Sequence, residues 1–525
     1  MSLILTSLIL LAAGFIVFTL QKYGAREKGL PPGPPTVPIL GNAHLFPTEF
    51  PHFKFTEWAR KYGGLYSLKV GTGTVVVITD AAVARELMDK RGAATADRPP
   101  IHIAERTMDG MQLVLARYNE TYKTLRKAAA TILTPQATGQ HLPIQQAEAV
   151  QLLYDFLHSP ESFLTAITRY SYSVIHCVLY GKRVPRYDNE DMKQFEKITH
   201  DFSVLVAPGG APPVDLIPIL QYVPECFAKW KKECRRIRNL QHKHYFTMLN
   251  EAKDRMLRGE GNGSYMEQVF KQQKELGMSD ELTKYFGSSL QETGAETTSS
   301  FLQGLVLALV AHPGIQKIAQ EEIDRVVGTQ RMPILDDLEN LPYVRAMILE
   351  AHRFRPTAPL GIPHATLSAQ EYQGYVIPEG ATIFVNVWGI FHDPDLFENP
   401  EEFKPERYLL TENGTKPGVD GSALRHTLPF GWGRRICPGM YLAFDTININ
   451  TMNLLWAFDF LPEVDSEGNP IPVDTFAFSK GIASAPLPFR CRITPRSAEK
   501  AKIIQSQFLE ASETFSKFEA GLSGG

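Results

Sequence analysis

The stretch Phe430-Gly-Trp-Gly-Arg-Arg-Ile-Cys-Pro-Gly439 decides how the rest of this chain is read. It sets Cys437 among Gly431, Gly433 and Gly439, with Arg434 and Arg435 beside it. Cations favour the thiolate, the form of cysteine that ligates metals. Glycines let a backbone approach something flat and bulky, and they leave main-chain N–H groups free to point at the sulfur. Pro438 is expected to open a helix, which would set the sulfur near a positive N-terminus. Most lone cysteines are buried small hydrophobes, but this combination suits a metal-bound thiolate better.

The surrounding chain is that of a large globular protein. It has 525 residues, 44% hydrophobic and 21% charged, enough for one large domain or two ordinary ones. The 54 basic and 57 acidic residues leave a net charge of −3, which excludes a nucleic-acid footprint. Cys177, Cys226, Cys234, Cys437 and Cys491 are few, odd in number and scattered, so a disulfide framework is not expected and a reducing compartment is.

Residues Leu3 to Leu20 carry no charge. About 20 apolar residues cross a bilayer as a helix, and this run, extended to Met1, just reaches that length. Lys22, Arg26 and Lys28 follow it and no basic residue precedes it, so the expectation is an uncleaved anchor with the following chain in the cytosol. A cleaved signal peptide is the rival reading; the basic n-region and small-residue cleavage site it needs are missing. The division expected is a transmembrane anchor (1–21), a basic, Pro-rich hinge (22–42), one domain (43–496) and a tail (497–525) in a short exposed helix.

Within the domain, Gly63 to Asp80 reads as two strands around Gly71-Thr-Gly73, and Tyr372 to Ile390 as a short hairpin. No helix opens after Gly73, so a dinucleotide fingerprint is not expected. From Ala81 to Val327 the apolar spacing is mostly helical, broken by Ala207 to Pro218, and one long helix is predicted from Ser279 to Ala311. On it, Phe286, Ser289, Leu290 and Thr293 share one face and are candidate substrate-contacting residues.

Phe430-x-x-Gly433-x-Arg435-x-Cys437-x-Gly439 resembles the haem-binding signature of cytochrome P450 monooxygenases. The resemblance implies a mixed α/β, mainly helical cytochrome P450 fold with small β-sheets and an N-terminal transmembrane helix. It implies that Cys437 is the axial thiolate to the iron of haem b, that Arg435 pairs with a propionate, and that Phe430 and Gly439 contact the cofactor. A thiolate pushes electron density onto iron and favours O–O cleavage.

Other segments follow in the family's order. Thr293 to Thr298, "TGAETT", resembles the oxygen-activating motif, with Glu296 and Thr297 as its acid–alcohol pair. A mid-helix threonine can equally bond its own i−4 carbonyl. Glu350-x-x-Arg353 with Arg407 is implied to be a buried folding triad. Where the family usually has tryptophan before its propionate-binding arginine, this chain has Tyr122-x-x-x-Arg126; a tyrosine contact to the propionate is expected with altered reach. His364 aligns with a position that often meets the other propionate. The loops Ile101 to Val114 and Thr357 to Pro363 are implied to line the pocket.

The resemblance runs from Leu30 to Arg496. The "PPGPP" hinge and closing "PLPFRCRITPRS" look like membrane-bound eukaryotic members, and other segments look most similar to fungal enzymes of secondary metabolism. The implied activity is NADPH- and O2-dependent insertion of one oxygen atom into a lipophilic small molecule. Electrons would arrive through a separate NADPH–cytochrome P450 reductase, with cytochrome b5 as a further partner, on the cytosolic face of the endoplasmic reticulum membrane. Two alternatives stay open: a haem-thiolate isomerase or dehydratase that needs no O2, and a haem-binding sensor without turnover.

Overall fold

Helices form where apolar residues recur at helical spacing and a short polar side chain closes the first turn. In the computed structural model, which describes residues 23–206, 210–215 and 217–519, the helices around the site are α1 (Glu120–Ile132), α2 (Leu142–His158), α3 (Phe163–Tyr180), α4 (Asp280–Ala311), α5 (Pro342–Phe354), α6 (Met440–Ala457) and α7 (Ala498–Glu519). The long helix predicted from the sequence is α4. Ser279 caps it, its Oγ accepting from the Leu282 N–H at 3.0 Å. The backbone leaves helical conformation at His312, before Pro313 starts the next helix. Gly294 lets α4 lie close to α3, because a Cβ there would come within 2.8 Å of Ile175 Cδ1.

Strands β1 (Leu65–Val70), β2 (Gly73–Ile78), β3 (His364–Ala365) and β6 (Thr382–Val385) form a four-stranded sheet in the order β1-β2-β6-β3. β2 and β6 run parallel, the other pairs antiparallel. β4 (Gln370–Tyr372) pairs with β5 (Tyr375–Ile377), and β7 (Phe458–Leu461) with β8 (Arg492–Pro495). The hairpin expected over Tyr372 to Ile390 is therefore shorter and earlier. Its turn is Gln373-Gly374, and the later half of that span joins the other sheet through β6, then forms a helix at Val387–Phe391.

The main core lies among α2 to α6, where Leu302, Leu305 and Leu309 of α4 meet Leu454, Leu455 and Trp456 of α6 in one buried cluster. Each such side chain contributes about 1.5–3 kcal/mol on burial. Trp456 is wholly buried and satisfies its indole by donating to Gly328 O at 3.1 Å.

Both ends of the domain differ from expectation. The expected anchor lies outside the described residues; among these, no single helix is long and apolar enough to cross a membrane. From Tyr23 onward the Pro-rich segment is docked rather than free-standing. Ser67 N–H and Oγ–H donate to Pro32 O and Pro31 O at 2.8 and 2.7 Å, and Asn42 bridges Pro35 O to Lys69 N–H. A chain of prolines donates few backbone hydrogen bonds, so the neighbouring strand β1 takes up its carbonyls. The tail is a 22-residue helix, α7, longer and less exposed than a frayed end. Ile504 and Phe515 are buried, and Phe508 stacks on Tyr154 of α2 at 4.0 Å.

Candidate active site

A cavity of about 310 Å³ opens between α1, α3, α4, α6 and the loops after α5. The signature loop forms one wall. Its turn is tied by Cys437 N–H donating to Phe430 O at 2.8 Å. Gly433 has φ of 52° and sits so near another main chain that a Cβ would lie 2.3 Å from Met88 O. Only glycine meets both demands. Asp89 then holds the loop from below, accepting from Gly433 N–H at 2.9 Å and from Arg425 at 3.2 Å. The result places Cys437, Phe430 and Gly439 on the cavity wall.

The helix after the cysteine begins at Met440 with Gly439 as its cap, two residues later than expected from Pro438. The thiol also differs from expectation. Burial pushes the Cys437 thiol up, and the opposing Gly439 N–H and Arg126 guanidinium do not overcome it. A metal cation bound directly to the sulfur would offset that burial. A coordinated thiol loses its proton outright.

Arg435 lines the cavity with its guanidinium fixed from behind. Nε donates to Ala96 O and Nη2 to Ala116 O, both at 2.7 Å, while Nη1 is buried without a partner. Desolvation pushes its pKa down to about 10. Tyr122 braces the signature loop. Its hydroxyl donates to Arg434 O at 2.8 Å, and its ring lies under the Arg435 guanidinium. A phenol is shorter than an indole and its O–H points along the ring axis, so it reaches the signature backbone. Arg126 donates to Ile436 O at 2.7 Å and also lines the cavity.

His364 is in place but neutral. Its Nδ1–H donates to Thr95 O at 2.8 Å, and desolvation, with Arg98 and Arg435 nearby, pushes its pKa down to about 3. Arg98 is the residue sequence reasoning missed. It is 4% exposed, lines the cavity and donates to Val114, Ile362 and Pro363 carbonyls at 2.9 Å. Burial pushes its pKa down to about 9. The sequence signal was "ADRPP", an arginine pinned before two prolines, but its meaning depends on the pairing of Asp97 with Ala365 beside His364. Neither Arg98 nor Arg435 forms an ion pair among the described residues, because Asp97 is taken by Arg117. Two buried, carboxylate-free guanidiniums and a cysteine sulfur on one wall fit a large metal ligand that carries its own carboxylates.

On α4, Thr297 lines the cavity and Glu296 does not. The Thr297 hydroxyl donates to Thr293 O at 2.8 Å, within its own helix. That spends the proton and leaves the oxygen as an acceptor toward the cavity. Glu296 keeps accessible surface, yet its depth among the helices pushes the carboxyl pKa up. Leu290 and Thr293 line the cavity as expected; Phe286 is buried in the core instead, and Ser289 accepts from Leu113 N–H at 3.1 Å. Of the two expected loops, Leu113 and Val114 come from one and Thr357, Ala358, Leu360, Gly361 and Ile362 from the other, with half of the former folded into a helix at His102–Met108.

Beyond the cavity, Glu350 and Arg353 are wholly buried and joined by two hydrogen bonds of 2.7 and 2.9 Å. Arg407 reaches the same carboxylate at 3.2 Å. The remaining guanidinium protons go to Phe391, Pro400, Glu398 and Glu402 carbonyls. None of the three faces the cavity.

The sequence model of the cytochrome P450 family matches residues 31–490. Among curated proteins, the chain is 40% identical over 96% of both chains to a cytochrome P450 monooxygenase of Armillaria gallica, and 37% identical over 98% of this chain and 97% of the other to one of Arthrobotrys oligospora. It is 35% identical, over 97% and 96% respectively, to the cytochrome P450 monooxygenase patI of Penicillium expansum. Among solved structures, a zebra fish cytochrome P450 with progesterone superposes with a TM-score of 0.71 at 23% identity, covering 85% of this chain and 99% of that one. The fold, the signature loop and these relatives agree, and the chain belongs to the cytochrome P450 family of haem-thiolate monooxygenases.

Proposed function

We propose that Cys437 would ligate a haem iron, that Arg98, Arg435 and Arg126 would hold the haem's propionates, and that Glu296 and Thr297 handle protons for oxygenation of an apolar small molecule. Bound haem supplies the activation of O2 and transfer of one oxygen atom. The protein's part follows from its own groups. Arg435 Nη1, buried and unpartnered, supports a carboxylate contact there. Tyr122 braces that guanidinium and the Arg434 carbonyl, so its contribution is positional.

The Thr297 oxygen, its proton committed to Thr293 O, is set to accept a hydrogen bond from a cavity water and so to orient it. A carboxyl one residue earlier, with its pKa raised, can return the proton. Leu113, Val114, Leu290, Phe301, Leu360 and Val385 give the cavity an apolar surface. Such a lining suits a lipophilic substrate and excludes bulk water.

The N-terminal run Leu3 to Leu20 and the lysines after it support a single-pass anchor with the domain on the cytosolic face of the endoplasmic reticulum. Exposed Lys123, Lys127 and Arg434 lie around the Arg126–Ile436 contact and support docking of an acidic electron donor, the NADPH-dependent reductase or cytochrome b5. The fungal relatives support a role in secondary metabolism.

The carrying observation is a cysteine sulfur, two carboxylate-free buried arginines and the Thr297 hydroxyl on one cavity. Expression in microsomes with a reductase, beside Cys437→Ala, tests it. The reduced, carbon-monoxide-bound wild type is expected to show a thiolate-type Soret band and to form oxygenated product. If Cys437→Ala keeps that band, the assignment fails.

A further inference from the structure

One turn before Glu296 on α4 stands a second carboxyl, Glu292, that the family signature does not include. Residues at i and i+4 share a helix face, with Cβ atoms about 5–6 Å apart. Glu292 shares a helix face with Glu296 and lies against the segment Lys229–Phe246, where Ala295 joins Tyr245 and Phe195 in a buried cluster. Gln241 Nε2 donates to Glu292 Oε1 at 3.1 Å. The Tyr245 hydroxyl is wholly buried and lies beside the same carboxyl. It is carried by a π-helical turn, His242–Phe246, that re-aims the end of its helix.

The groups facing Glu292 are Glu296 on its own helix, Gln241 and Tyr245 across from it, and Tyr180 at the end of α3. Among the described residues, no cation offsets it. Burial, with the like charge of Glu296, pushes its pKa up to about 7, although Gln241 and Tyr245 stabilise the ionised form.

We propose that Glu292 and Glu296 act as one proton-holding carboxyl pair, Glu292 re-protonating Glu296 during turnover. The inference rests on the role given to Glu296 and Thr297 above. In each step one proton leaves a Glu292 carboxyl oxygen, crosses directly or through one water, and bonds to a Glu296 carboxylate oxygen. Glu292 then recovers a proton from solvent hydronium, which becomes water. Like charges on adjacent turns of one helix disfavour ionising together, so the pair holds a shared proton one turn from Thr297.

The test is infrared difference titration of the holoenzyme from pH 5 to 9, in wild type, Glu292→Gln, Glu292→Asp and Tyr245→Phe. Wild type is expected to show a protonated-carboxyl band that disappears near pH 7. Glu292→Gln should lose it, Glu292→Asp should restore it with a shifted midpoint, and Tyr245→Phe should raise the midpoint. In turnover, Glu292→Gln is expected to lower product formed per NADPH at least threefold at pH 8 and less at pH 6, with KM unchanged. The Soret band of the carbon-monoxide adduct reports the haem–thiolate assignment separately. A lost infrared band with that Soret band intact supports the pair. A band that persists in Glu292→Gln, or equal coupling at both pH values, overturns it whatever the Soret band does.

Discussion

The guanidinium carbon of Arg435 lies 3.5 Å from the centre of the Tyr122 ring. A planar cation over an aromatic face is attracted by the ring quadrupole, more so when both are desolvated. Tyr122, standing where the family usually has tryptophan, thus supports a neighbouring arginine and the Arg434 carbonyl. Tyr122→Phe keeps the ring and loses one hydrogen bond, an expected cost of about 1 kcal/mol in unfolding with haem content unchanged. Tyr122→Leu also removes the ring, and haem per protein is expected to fall. Thermal unfolding and pyridine haemochromogen assays read the two effects. Equal haem content in all three proteins would show that the ring does not position Arg435.

Glu350 carries two buried arginines, Arg353 and Arg407, and accepts from Lys404 N–H at 2.8 Å. Removing the shared carboxylate strands both guanidiniums in the interior. Glu350→Ala is expected to cost about 3–5 kcal/mol and to yield little folded protein. Glu350→Gln, isosteric but neutral, should fall short of wild type in thermal midpoint as well. A Glu350→Gln midpoint equal to wild type would assign the contact to packing rather than charge.

Thr297→Val removes the acceptor oxygen at nearly constant volume. Product formation is expected to fall by about 10²-fold while NADPH consumption continues, because electron supply does not pass through this hydroxyl. Thr297→Ser keeps the oxygen and is expected to retain most of the product. The measurement is product against NADPH consumed, and similar ratios for valine and serine variants would remove Thr297 from proton handling.

Glu292 also shapes stability against pH. Its carboxyl holds a proton to about pH 7 in the fold and to about 4.5 in the unfolded chain. Between those values the folded state binds more protons, so stability falls as pH rises from 4.5 to 7 and stays lowered above. The total is on the order of 3 kcal/mol. Glu292→Gln removes this loss, so its thermal midpoint relative to wild type is expected to be higher at pH 8 than at pH 5. Parallel curves for the two proteins would refute the raised pKa.

Some of the site was legible because its chemistry is local. Cys437 and its glycines, the Glu296–Thr297 pair and the Glu350–Arg353 spacing all sit within a turn or a loop, where sequence offset translates directly into geometry. Helix α4 was legible for the same reason, through its cap and the proline that follows it. The hairpin over Tyr372 to Ile390 was misread because β6 alternates like a hairpin strand while pairing with the distant β2.

By itself, then, the sequence determined the glycine-bounded cysteine loop, the long helix bearing an acid and an alcohol, and the helical character of the chain. Only the tertiary structure decided that Arg98 faces the cavity, that Tyr122 supports Arg435, that Glu292 lies under Gln241 and Tyr245, and that α7 docks on α2. Each of these depends on which distant backbone carbonyl or side chain arrives opposite, and chain closure over long separations leaves no periodic mark in the residues it joins.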